Sequence, residues 1–219
     1  MNYLAIDTSG SRLTVAAKFG EKRVLRRRDD CKTGHAAFLM DEIDDVLETL
    51  KTDLSKVDFI ACVIGPGSFT GIRIGVATVK ALCFAYNKPA LALTSFDVLA
   101  YTNLESENKI CLINAMHGNF YAQTFSGFTP SGVPAFLTES EIFEKYAEYV
   151  KIADCDCDKL NVKATDTQNA FVSAVESEYL KAVATVEENK ENKTEKLICG
   201  ELLSPLYVKK SQAEEELCK

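Results

Sequence analysis

Ile64-Gly-Pro-Gly-Ser-Phe-Thr-Gly-Ile-Arg-Ile-Gly-Val76 holds four glycines and a proline where an apolar run, 58–64, gives way to a longer one, 70–86. The first run is short and bounded by turn residues, which predicts a buried strand, and the second predicts a helix. Gly65-Pro66-Gly67 permits a sharp turn, and Ser68 or Thr70 can cap the helix that follows. A junction of this kind aims backbone N–H groups and a helix N-terminus at one point, which suits an anion or a tightly packed loop. Gly71 and Gly75 share one face of the helix. Each costs roughly 1 kcal/mol against alanine inside a helix, so a packing or functional reason is expected there.

Three strands precede the junction, at 2–8, 12–19 and 23–28, with short polar or glycine links that predict an antiparallel meander. Residues 33–50 read as a helix: Leu39, Ile43, Val46, Leu47 and Leu50 recur at three- and four-residue spacing, and Asp41, Glu42, Asp44, Asp45 and Glu48 form a solvated face. After the junction come a strand at 90–94 and a helix at 96–104 capped by Ser95. The order β-β-β-α-β-α-β-α predicts an α/β layer on a mixed sheet. A polar run, 105–109, marks the domain boundary. It divides the chain into 1–105, 106–196 and a C-terminal segment with an acidic tail, 197–219. The second part predicts a hairpin, 109–115 and 120–128, around His117-Gly-Asn119. A strand at 133–138 and helices at 139–150 and 169–186 follow. Residues 151–165 show no clear period, 187–196 read as a charged loop, and the tail reads as disordered.

The 219 residues are 47% hydrophobic and 26% charged, ordinary for a globular chain with a real core. A net charge of −7 disfavours a broad nucleic-acid-binding surface. Met1 to Asp7 lacks the basic region of a signal peptide, and no apolar run approaches the ~18 residues of a membrane span. Of the eight cysteines, Cys62, Cys83, Cys111 and Cys199 lie in apolar segments. Free thiols and a cytoplasmic location are therefore expected.

The junction is neither of the common nucleotide fingerprints. No Gly-Lys-Ser/Thr follows it, and Gly65, Gly67 and Gly71 have one residue too many before the last glycine. Arg73 lies off the Gly71/Gly75 face and could hold a carboxylate or phosphate. Asp7-Thr8-Ser9 could hold a hydrated metal or a phosphate, or simply cap its own turn. With Gly65, Gly67 and Ser68 these make the candidate anion or nucleotide set. Cys155-Asp-Cys157 offers two thiolates where structural zinc takes four ligands. His35 and His117 are too far apart for a helical two-histidine site, so no metal ligand and no catalytic residue is expected; His35 is expected to cap or orient its helix.

Gly65 to Gly75, with Leu4-Ala-Ile-Asp-Thr-Ser9, His35 opening an acidic helix, and Pro205-Leu-Tyr-Val-Lys209, strongly resembles the TsaB (YeaZ) family. These motifs are spread along nearly the whole chain. The resemblance implies the actin/sugar-kinase/Hsp70-like fold (ASKHA), two related α/β domains with mixed sheets, the second degenerate. It also implies a role in making N6-threonylcarbamoyladenosine at position 37 of tRNA. In that role TsaD transfers the threonylcarbamoyl group, TsaB is its heterodimer partner and TsaE an ATPase. The metal-holding H-x-x-x-H of TsaD is absent here, which fits a non-catalytic scaffold. Where the family commonly reads Asp-Ala-Arg, this chain has Asn114-Ala115-Met116, which weakens a nucleotide site in the second domain.

The leading expectation is a scaffold subunit whose helices 33–51 and 70–86 pack against matching helices of TsaD. Gly71, Arg73, Gly75, Thr78 and Leu82 would lie at that interface. A homodimer is expected without TsaD, and tRNA is expected to be met only through the complex, with no membrane involved. The chain itself is expected to hold no cofactor, with ATP or ADP a candidate at the complex interface. The alternatives are a stand-alone phosphotransferase of the same fold, using Asp7 for Mg²⁺, and a glycoprotease-type metallopeptidase. The first needs a second phosphate loop and an adenosine loop, and neither is visible.

Overall fold

The computed structural model describes residues 1–31, 34–188 and 196–209. The expected start of the first helix at Thr33, most of the charged loop and most of the acidic tail lie outside those residues. Eleven strands and five α-helices follow one another among the described residues: β1 (Tyr3–Asp7), β2 (Leu13–Phe19), β3 (Lys22–Arg28), α1 (His35–Leu50), β4 (Phe59–Val63), α2 (Phe69–Tyr86), β5 (Pro89–Leu93) and α3 (Ser95–Ala100). Then come β6 (Asn108–Asn114), β7 (Asn119–Ser126), β8 (Thr129–Pro130), β9 (Ala135–Thr138), α4 (Glu139–Lys145), β10 (Val150–Ala153), α5 (Gln168–Glu188) and β11 (Leu197–Cys199).

The first sheet runs β11-β5-β4-β1-β2-β3. Strands β1 to β3 form the antiparallel meander that their short links require, while β1, β4 and β5 are parallel. The sheet is therefore mixed. Side-chain alternation sorts each central strand between two cores. Leu4 and Ile6 of β1, with Ile60 and Cys62 of β4, join Leu39, Ile43, Val46, Val76 and Val79 of α1 and α2. Tyr3, Ala5, Phe59, Ala61 and Val63 face the other way, onto Phe171, Ala174 and Val175 of α5. Burial on both faces explains why these strands read as continuous apolar runs.

The second sheet runs β10-β6-β7-β8, with β9 also on β7. Helix α3 lies between the sheets. Its Val98 joins the core beneath α5, while Phe96, Leu99 and Ala100 pack with Cys111, Ile113, Phe125 and Ile152. The chain passes from the first sheet to the second between β5 and β6. However, α5, from within 106–196, covers the first sheet, and β11 pairs with β5 as its edge strand. The last described stretch thus completes the first layer.

Three expectations are corrected. Thr94, not Ser95, caps α3, accepting from the Asp97 N–H at 2.9 Å while Asp97 accepts from the Thr94 N–H at 2.8 Å. That helix ends at Ala100, and α4 ends at Lys145, because Val150 is needed to open β10. Helix α2 has 18 residues with a mean hydropathy of 1.3, enough by length and composition to span a membrane. Its inner face is occupied by the sheet. Residues 151–165 form β10 and two isolated bridges, Ala153 to Ala164 and Cys157 to Val162. The seven described cysteines are all free.

Candidate functional site

The turn after β1 and the glycine junction after β4 are bonded into one unit. Ser68 caps α2, its Oγ accepting from the Gly71 N–H at 3.2 Å. The Ser68 N–H donates to the Ser9 carbonyl at 2.6 Å, and Thr8 Oγ1 donates to the Gly71 carbonyl at 2.7 Å. The peptide between Gly65 and Pro66 is cis, and Ser95 Oγ donates to the Pro66 carbonyl at 2.8 Å. A Cβ on Gly67 or Gly71 would fall inside the carbonyl oxygens of Ser9 and Thr8 respectively, and one on Gly75 would fall on Thr8 Oγ1. Gly71 and Gly75 are buried. They were expected at a partner interface; they face inward instead, where they let α2 approach β1.

The same contacts reassign Thr8 and Ser68 of the candidate anion set. The amides of Ser68 and Gly71 and the hydroxyl of Thr8 are engaged within the chain. Asp7 and Ser9 remain on the wall of a cavity of about 110 Å³ between the sheets. Asp154 lies on the opposite wall, its Oδ1 accepting from the Asn114 N–H at 2.9 Å. Arg12 and Arg27 line the same space, tied to Asp29 at 3.4 Å and 3.0 Å, with Arg27 also on Asp166 at 2.8 Å. Burial pushes the Asp7 carboxyl up, against hydrogen bonds from the Ser9 N–H and Oγ at 2.8 Å and 2.7 Å that hold it down. Small-molecule sites usually enclose ~300–1,000 Å³, so this cleft is too small for a nucleotide as it stands. Among the described residues no group of three His, Cys, Asp or Glu side chains could hold a metal ion. His35 is buried, its Nε2 3.3 Å from the Arg12 carbonyl oxygen; it orients the start of α1 without capping it.

The outward side of α2 differs in character. Arg73 is exposed, Thr78 and Leu82 are half-buried, and Leu82 packs on the first core. Beside them Thr70, Ala77, Ala81 and Ala85 are exposed, as are Phe84 (79%) and Tyr86. The neighbouring α1 exposes Ala36, Ala37 and Met40. Only 33% of α2 is buried. Phe84, Ala77, Ala81 and Met40 are the residues that sequence reasoning missed. Their signal was present: an apolar helix with no polar stripe opposite its packed face. The start of α2 is also clamped from the C-terminal side. The Arg73 guanidinium lies 3.7 Å from the Phe69 ring centre and donates through Nε to Tyr207 Oη at 2.9 Å.

Known proteins resemble this chain in sequence and in shape. The family model "TsaD: tRNA N6-adenosine threonylcarbamoyltransferase" matches residues 29–197. The tRNA threonylcarbamoyladenosine biosynthesis protein TsaB of Bacillus subtilis is 31% identical over 125 residues, 55% of this chain and 53% of that protein. Its Haemophilus influenzae namesake is 30% identical over 125 residues, 55% and 52%. The chain spans about half the length of the curated relatives it matches. The solved structure of YeaZ from Pseudomonas aeruginosa superposes with a TM-score of 0.70 at 23% identity, covering 94% of this chain and 99% of that one. A second structure from that organism, described as similar to peptidase YEAZ, reaches 0.74 at 22% identity, with 95% and 99% covered. These two fix the fold as the two-sheet α/β architecture expected.

Proposed function

We propose that this chain, which belongs to the TsaD family of tRNA N6-adenosine threonylcarbamoyltransferases and groups there with the TsaB (YeaZ) proteins, is the docking subunit for a TsaD-type transferase in making threonylcarbamoyladenosine on tRNA. One observation carries the reading: α2 is apolar enough for a bilayer, yet eight of its eighteen residues are exposed. Its inner face is fixed on the sheet and Arg73 and Lys80 put charge on the rest of the helix surface, so a protein is a better cover than lipid. A partner built on the same fold would present the same two helices, α1 and α2, allowing like elements to pair across a pseudo-twofold axis. The small exposed residues Ala77, Ala81 and Ala85 permit close approach, and Phe84 supplies a large aromatic anchor. The partner would carry the transfer to adenosine 37. TsaE as a third subunit and ATP or ADP at the shared interface belong to the same proposal, as does a homodimer when the partner is absent.

The test is the mass of the mixture. The purified chain and its cognate TsaD should travel as a heterodimer in light scattering. Phe84→Glu should weaken the pair at least tenfold, about 1.4 kcal/mol, with an unchanged melting temperature. Persistent separation of the two proteins, or undiminished binding by the variant, overturns the reading. A wild-type chain that only pairs with itself assigns the face to a second copy instead.

A further inference from the structure

A second cavity, of about 580 Å³, opens between the first turn of α2, the tip of the β6–β7 hairpin and residues 206–209. Its size falls within the usual range for small-molecule sites, ~300–1,000 Å³. It shares only Pro66 with the cleft that holds Asp7. Two aromatic pairs line it. Phe69 and Tyr207 have ring centres 5.2 Å apart, and Tyr121 and Phe136, opposed across β7 and β9, are 5.8 Å apart. Cationic groups stand beside both pairs: Arg73 over Phe69 at 3.7 Å, and Lys209 Nζ 4.9 Å from the Phe136 ring centre.

Arg73 is set apart by its pairing. Every other arginine of the chain, Arg12, Arg23, Arg26, Arg27 and Arg28, has a carboxylate partner. Arg73 has none among the described residues, in a chain where acids outnumber bases 32 to 25. The hairpin tip at the cavity wall is also held in an unusual shape. Met116, His117 and Gly118 take φ of 68°, 54° and 71°, two of them left-handed without being glycine. Asn114 Oδ1 accepts from the Met116 N–H at 2.8 Å, and Asn119 Nδ2 donates to the Met116 and His117 carbonyls at 3.2 Å and 3.1 Å. Such conformations persist only where their surroundings hold them.

We propose that this cavity binds a nucleobase carrying a phosphate group. Aromatic walls accept the flat faces of a base by stacking, and a guanidinium without a carboxylate is suited to phosphate. A free mononucleotide and an unpaired nucleotide of an RNA strand both present this chemistry. The net charge of −7 favours the free nucleotide over a long polyanion. The assignment stands on this cavity alone and does not depend on the docking face.

The full chain is titrated by calorimetry with AMP, adenosine, ribose 5-phosphate and a single-stranded RNA pentamer. AMP should saturate. Arg73→Gln should weaken AMP at least tenfold and leave adenosine unchanged, while Phe136→Leu should weaken both. Because the chain has no tryptophan, Phe136→Trp places a single tryptophan in the wall, which is excited apart from the tyrosines. AMP and adenosine should quench it and ribose 5-phosphate should not. A pentamer bound tenfold or more tightly than AMP identifies an RNA strand as the source, and equal or weaker binding identifies the free nucleotide. No saturable binding of AMP or pentamer at millimolar concentration overturns the proposal. So does AMP binding that Arg73→Gln and Phe136→Leu leave untouched.

Discussion

Gly75 has no room for a side chain, and the obstacle is the Thr8 hydroxyl, which is itself fixed by its bond to the Gly71 carbonyl. Gly75→Ala gains up to ~1 kcal/mol of helix propensity. It must also push α2 off β1 or break the Thr8 bond, and overpacking of this kind costs about 1–3 kcal/mol. The expected net effect is a destabilised protein, melting several degrees lower at roughly 2–4 °C per kcal/mol. Calorimetric melting checks this, and an unchanged or raised melting temperature would show that α2 can shift freely. The glycine spacing fixed which residues share a face of α2. It could not say which face is inside, because an inward close approach and an outward one leave the same pattern. Gly71 and Gly75 were therefore legible as a pair and misread as an interface. Arg73, off that face, does point outward.

Helix α3 has only six residues, all buried, and stands where the two sheets meet. Its capping box is the local device that starts it. Thr94→Ala removes the acceptor for the Asp97 N–H and should cost about 1 kcal/mol, with a melting temperature roughly 2–4 °C lower. Thr94→Ser should restore most of it. Elements built on short-range patterns were legible: β1, β2, α1 and α5 lie within a residue or two of where alternation or four-residue spacing puts them. Those depending on distant partners were not. β10 exists because it pairs in parallel with β6, and nothing within 150–153 records that neighbour. Helix α3 stops early because the buried Lys109 amine donates to the carbonyls of Ala100 and Asn103, at 3.0 Å and 2.6 Å. In the candidate site Asp7 and Ser9 were legible from turn chemistry. Asp154 was not, since only the second sheet brings it opposite.

Across the whole molecule, one ionic cluster ties the layers together. Lys196 donates to Asp97 of α3 at 2.9 Å and to Glu178 of α5 at 2.7 Å, and Lys181 also donates to Glu178 at 2.7 Å. The side chains of Asp97 and Glu178 are 2% and 5% exposed. Burial pushes the Glu178 carboxyl up, but the two lysines outweigh it and hold it below its ordinary value. Lys196→Met leaves buried carboxylates undercompensated, an expected loss of about 3 kcal/mol and roughly 6–12 °C. Because the folded Glu178 value is lowered, the stability it brings is present above the ordinary glutamate range. It is lost as pH falls through the folded value. The gap between wild type and variant should therefore narrow in acid, which melting curves at neutral and acidic pH would show. Lys196 immediately precedes β11, the strand that closes the first sheet on β5. On the ribosome, β5 emerges long before β11 has been made. The nascent protein must carry an open strand edge through most of its synthesis, an invitation to neighbouring chains that only the late arrival of residues 197–199 withdraws.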